Sequence, residues 1–150
     1  GKDDVVLDYG CGKGRVGFFL SYRVKAKTLG IEYDERIYNS AVENQKTAIS
    51  GSRTEFVLTK AEEYEVPSQV NRCYFFNPFS EEILRSVIDA IIYSYYENNR
   101  PIKLFFYYPE DSALAYLMGK EELICIDEIE CQDLYETYDE RESVFIFEIY

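Results

Sequence analysis

Histidine is absent from all 150 residues of the chain. Its absence removes the usual general base near neutral pH, and with it every Ser-His or Cys-His nucleophile. Hydrolase chemistry of that kind is excluded. A zinc site is also disfavoured, because the four cysteines, Cys11, Cys73, Cys125 and Cys131, show no C-x-x-C spacing. Two of them fall in expected strands, so they read as reduced core thiols. Prolines are few, and Pro67, Pro78, Pro101 and Pro109 all fall at expected ends of elements. No repeat, low-complexity tract or linker divides the chain. No apolar run approaches the roughly 18 residues of a membrane span, and no signal peptide is expected. A soluble, cytoplasmic chain without membrane contact is expected. Basic residues are scarce as well: 16 Lys and Arg face 28 Asp and Glu, for a net charge of −12. Such a surface repels polyanions, which disfavours nucleic acid and favours a protein, peptide or small-molecule partner.

What is present suffices for one domain over residues 1–150, with 47% apolar and 17% aromatic residues to fill a core. Strands and helices alternate, the pattern of a mainly parallel sheet covered on both faces. Strands are expected at Val5–Asp8, Thr28–Glu32, Glu55–Thr59, Cys73–Phe76 and Ile102–Tyr108, then near Leu123–Glu130 and Ser143–Tyr150. Helices are expected at Arg15–Val24, Arg36–Ala48, Glu81–Asn98 and Ser112–Met118. Ile83, Leu84, Val87, Ile88, Ile91, Ile92 and Tyr95 form a 3.6-residue stripe, the mark of a helix lying on a sheet. The last two strands, joined around Thr137–Glu142, read as a hairpin that closes the sheet antiparallel.

The most informative stretch is Val5-Val6-Leu7-Asp8-Tyr9-Gly10-Cys11-Gly12-Lys13-Gly14: a buried strand, an acid at its end, and a glycine-rich turn into a helix. Glycines there let the backbone turn tightly and approach a ligand, and the helix start presents unpaired N–H groups. A ligand with an adenosine and an anionic end fits such a turn. Gly12-Lys13-Gly14-Arg15-Val16-Gly17 formally matches the dinucleotide fingerprint G-x-G-x-x-G. That fingerprint must follow a strand directly, however, and here the apolar run ends at Leu7.

The other frame, apolar strand then D-x-G-C-G-x-G, resembles motif I of the class I S-adenosylmethionine-dependent methyltransferases. The resemblance extends over essentially the whole chain. It implies an α/β fold of Rossmann-like type, a three-layer α/β/α sandwich whose seven-stranded, mainly parallel sheet has an antiparallel C-terminal strand. It implies S-adenosylmethionine as cofactor, S-adenosylhomocysteine as product, and no metal. Relatives of this class usually carry additional N-terminal helices that help form the substrate site, and a basic segment there would reverse the inference about nucleic acid.

Site residues follow from the same resemblance. Asp8, Gly10, Cys11, Gly12 and Gly14 are expected to form the turn and hold the methionine part of the cofactor. The bland reading of Asp8 is a carboxylate bonding N–H groups of the turn. Glu32 ends the second strand beside that turn, where a carboxylate can accept hydrogen bonds from both ribose hydroxyls. Tyr33 would cover the adenine face, or is simply a half-buried filler. Asp34 has its own explanation as the N-cap of the next helix. In Thr59-Lys60-Ala61-Glu62 the family often places an acid before the alanine. Lys60 stands there instead, so Glu62 or the backbone of Ala61 is left to meet the adenine.

Asn77-Pro78-Phe79 resembles the N-P-P-[YF] motif of methyltransferases acting on amine or amide nitrogens, with one proline lost. In that group the Asn oxygen and the next carbonyl accept from the target nitrogen, while the aromatic ring packs over the acceptor. The plain alternative is a strand-to-helix turn with Phe79 on the core. Tyr107 and Tyr108 are further lining candidates, with core packing as their simpler role. The leading expectation is methyl transfer from S-adenosylmethionine to an acceptor the sequence leaves open, an amine or amide nitrogen of a protein or small molecule being one candidate. A non-catalytic cofactor-binding module that docks a partner is the second, and an NAD-dependent oxidoreductase the third.

Overall fold

The computed structural model describes residues 3–10, 25–48, 51–75, 79–107, 109–130 and 143–149. The expected helix Arg15–Val24 lies outside them, as do Cys11, Gly12, Gly14, Asn77, Pro78, Tyr108 and Cys131. The described strands are β1 Val5–Tyr9, β2 Lys27–Glu32, β3 Thr54–Leu58, β4 Arg72–Phe75, β5 Ile102–Tyr107, β6 Ile124–Glu130 and β7 Ser143–Ile149. The helices are α1 Glu35–Gln45, α2 Glu81–Glu97 and α3 Asp111–Met118, with 3-10 turns at Gly51–Arg53 and Ala61–Glu63.

The strands form one seven-stranded sheet in the order β3-β2-β1-β4-β5-β7-β6. Neighbours from β3 through β5 pair in parallel, while β7 inserts antiparallel between β5 and β6. Parallel neighbours need crossover connections, and α1 and α2 each lie between two such strands in the chain. The order reverses at β1, whose successor in sequence, β2, lies on one side and β4 on the other. Such a reversal opens a crevice beyond the carboxyl ends of the strands.

The alternation of a strand splits β1 into two sets. Leu7 and Tyr9 join Leu29, Ile31, Cys73, Phe75, Leu104 and Phe106 in the main core, against α2 and α3. The α2 residues Leu84, Val87, Ile88, Ile91 and Ile92 are all buried in that core, as the stripe predicts. Ser80 caps this helix, its Oγ accepting from the Ile83 N–H at 3.3 Å. Val6, Asp8 and Thr28 are buried outside that cluster.

Most boundaries match expectation within a residue or two, but α1 stops at Gln45 rather than Ala48. The N–H groups of Lys46 and Thr47 bond three residues back, to Glu43 and Asn44, and Gln45 Nε2 donates to the Gly51 carbonyl at 2.8 Å. A tightened last turn followed by a side-chain tether ends the helix. Gly51 is required there, because a Cβ would collide with the Gln45 carbonyl oxygen. Cys73 is a buried free thiol, whereas Cys125 is only partly covered, because β6 is an edge strand.

Candidate cofactor site

At the carboxyl ends of β1 to β4 lies a cavity of about 430 Å³. Small-molecule sites occupy roughly 300–1,000 Å³. Gly10, Glu32, Tyr33 and Phe79 line it together with apolar side chains of Ile31, Ile37 and Ile83. They come from the exits of β1, β2 and β4 and the helix starts that follow β2 and β4, brought together by the register. Gly10 follows β1 with φ of 73°, a left-handed conformation that glycine adopts without strain, and its N–H donates to the Ile31 carbonyl at 3.0 Å. That bond ties the β1 exit to β2.

Glu32 is 6% exposed although it is a carboxylate, and its Oε1 accepts from the Asp34 N–H at 3.3 Å. Its carbonyl accepts from the Thr59 N–H at 2.9 Å, fastening the β3 exit beside it. Tyr33, 75% exposed, stands at the mouth with its ring free to lie over a ligand. Asp34 is the α1 N-cap, its Oδ1 accepting from Arg36 and Ile37 at 2.9 and 3.3 Å. The cap orients the first turn of α1 so that Ile37 reaches the cavity wall.

Beyond β3, the buried Ala61 lines the cavity. Glu62, one residue on, is exposed and is not among the lining residues. Phe79 lines the cavity, and it packs edge-on against Tyr9 at 6.3 Å and Phe75 at 6.4 Å, as the plain strand-to-helix reading of its motif expects. Behind it, Tyr9, Phe75 and Phe106 stack across β1, β4 and β5 at 4.9 and 4.3 Å between ring centroids. This aromatic row, which sequence reasoning missed, makes a rigid back wall. Tyr107 is half-buried on β5 and does not line the cavity.

Asp8 is 1% exposed, and neither carboxylate oxygen has a hydrogen-bond partner among the described residues. Burial, and secondarily the Glu32 carboxylate, push its pKa up from 3.8 to about 7. Among the described residues no group of His, Cys, Asp and Glu could hold a metal ion, and no helix is long and apolar enough to cross a membrane.

A crevice at the point of strand reversal, walled by a buried acid at the end of β2 and by apolar side chains, on a mostly parallel seven-stranded sheet, defines an α/β protein of Rossmann-like architecture. The methyltransferase-domain family matches residues 6–94, and the chain belongs to that family, with the class I, Rossmann-like fold of S-adenosylmethionine-dependent enzymes. No curated protein matches the sequence significantly. Solved structures share its fold. An RNA methyltransferase from Salinibacter ruber in complex with S-adenosyl-L-homocysteine superposes with a TM-score of 0.72 and 17% identity, over 99% of this chain and 82% of that one. An rRNA methylase from Streptococcus thermophilus gives 0.68 and 13%, over 97% and 87%. P. horikoshii TYW2 in complex with MeSAdo gives 0.70 and 14%, over 98% and 56%.

Proposed function

We propose that this chain, acting as one domain, moves a methyl group from S-adenosylmethionine to an amine or amide nitrogen of a protein or small molecule, leaving S-adenosylhomocysteine. The observation that carries the reading is Glu32, a buried carboxylate at the rim of an otherwise largely apolar cavity. A nucleoside presents a matching arrangement, a flat apolar base beside two vicinal hydroxyls that donate to one carboxylate. The structures with bound S-adenosylhomocysteine and MeSAdo share the fold and support the same ligand class. When bound, the cofactor supplies a methyl group made electrophilic by its sulfonium.

The protein's part is alignment and exclusion of water, since an in-line displacement requires no reactive side chain. Glu32 holds the ribose, and Tyr33 and Ile37 enclose the base with the Ala61 backbone. The exposed position of Glu62 leaves it the weaker of the two adenine contacts. Asp8, Gly10, Cys11, Gly12 and Gly14 hold the methionine part. The Asn77 side-chain oxygen and Pro78 carbonyl accept from the target nitrogen, and Phe79 packs over the acceptor. No residue is assigned to a metal.

An RNA acceptor is the second reading, favoured by the RNA-methylating neighbours and opposed by the charge of −12. Calorimetric titration with S-adenosylmethionine, S-adenosylhomocysteine and NADH tests the site. Micromolar binding of the first two and none of NADH is expected; NADH binding alone would overturn the reading. Transfer of labelled methyl from S-adenosylmethionine to amines, proteins and RNA then identifies the acceptor. Binding without transfer to any of them would make the chain a non-catalytic cofactor-binding module.

A further inference from the structure

Two buried carboxyl groups stand close together where the sheet meets the cavity. Asp8 pairs in register with Gly30 on β2, and Glu32 follows two residues later on the same face of that strand. On the other side Asp8 faces Tyr74 of β4. The basic residue on that face of β4, Arg72, lies one strand repeat away and is tied to Asp4, with Nε at 3.1 Å from Oδ2. Thus a neighbouring acid and a tyrosine face Asp8 from the adjoining strands, and no described cation neutralises it. An ionised carboxylate buried without hydrogen bonds or a countercharge costs several kcal/mol. Glu32 and Gly10, two residues on from Asp8, line the cavity, and Asp8 itself lies just behind that lining.

We infer that Asp8 is a proton-linked positioning group for the cofactor: it carries a proton at slightly acidic pH without ligand and ionises when the ammonium of the methionine part arrives, so that cofactor uptake expels up to one proton to solvent. The inference rests on the proposed cofactor. The ligand brings a positive charge that no described residue supplies to Asp8, and hydrogen-bond donors that the Asp8 oxygens lack among the described residues. Burial beside Glu32, which raises the Asp8 pKa to about 7, puts the exchange in the neutral range.

The test is calorimetry of the 150-residue chain with S-adenosylhomocysteine, in buffers of different ionisation enthalpy, from pH 6 to pH 8. For a group titrating near pH 7, proton release should fall from about 0.9 per ligand at pH 6 to about 0.5 at pH 7 and about 0.1 at pH 8. Affinity should rise about tenfold over the same range. Adenosine keeps the base and ribose but lacks the ammonium, and should bind with no net release. Asp8→Asn should still bind S-adenosylhomocysteine, with the release lost and the pH profile flat. Binding without proton release, or equal release with adenosine, overturns the inference and leaves the cofactor reading intact. No binding of S-adenosylhomocysteine at any pH overturns both. If Asp8→Asn does not fold, the wild-type pH profile and the adenosine comparison decide the matter alone.

Discussion

Three buried polar side chains govern the behaviour of the site at the scale of single residues. Glu32 stood out in the sequence as an acid ending the second strand beside a glycine turn, and the structure buries it at the cavity. Replacing it with alanine should weaken S-adenosylhomocysteine binding by about 1.5–3 kcal/mol, the usual loss for hydrogen bonds to a charged group, without unfolding the protein. Calorimetry combined with circular dichroism separates the two effects. Asp8 was expected at the glycine turn, but that its carboxylate has no hydrogen-bond partner among the described residues could not be read, since hydrogen bonding depends on what packs nearby. The unfolded carboxyl loses its proton near pH 3.8 and the folded one near 7, so between these values the folded state holds more protons and stability falls as pH rises. Asp8→Asn removes this penalty. Its stability relative to wild type should therefore climb between pH 4 and pH 7 and then level off, by up to about 4 kcal/mol. Urea denaturation across that range checks both sign and window. Tyr9 is the third case: its hydroxyl is buried without a hydrogen-bond partner among the described residues while its ring stacks on Phe75. Tyr9→Phe keeps the stack and sheds the orphaned group, so thermal unfolding should show a gain of about 1 kcal/mol.

Among the elements, α2 shows how a readable pattern and an unreadable one combine. Its apolar stripe is local and periodic, and it packs as the period requires. Its anchoring is not local. Ser94 Oγ donates to the Val66 carbonyl at 3.0 Å, and Arg100 Nη2 donates back to that Oγ at 2.9 Å. The same guanidinium donates to the carbonyls of Ser94, Asn98, Pro67 and Val70, at 2.7 to 3.2 Å. One planar donor fork thus closes the end of α2 and pins the loop before β4. Nothing in the sequence around Arg100 announces this, because its acceptors are backbone atoms whose positions only folding sets. Arg100→Ala should lower stability by about 2–4 kcal/mol in urea. The clasp lies at the amino ends of the strands, opposite the cavity, so the affinity for S-adenosylhomocysteine should be unchanged.

For the whole molecule, cooperativity depends on the strand that arrives last in sequence yet sits inside the sheet. β7 lies between β5 and β6, and its fully buried Phe147 meets Phe106 edge-on at 5.8 Å. Phe147→Ala should cost about 3–5 kcal/mol in a global unfolding transition. Ile126, on the exposed edge strand β6, is 44% exposed, and Ile126→Lys should change stability by no more than about 0.5 kcal/mol. The contrast between the two transitions measures how far the core extends along the sheet.

Strand and helix identities, the parallel class of the sheet and the acid-and-glycine signature could all be read from the chain before folding. Periodicity, turn chemistry and capping act over a few residues and leave their marks in local composition. The aromatic wall of Tyr9, Phe75 and Phe106, the isolation of Asp8 beside Glu32, and the Arg100 clasp could not be read in this way. Each joins segments far apart in sequence, and their meeting is set by strand order and register, which long-range packing selects and no local pattern encodes.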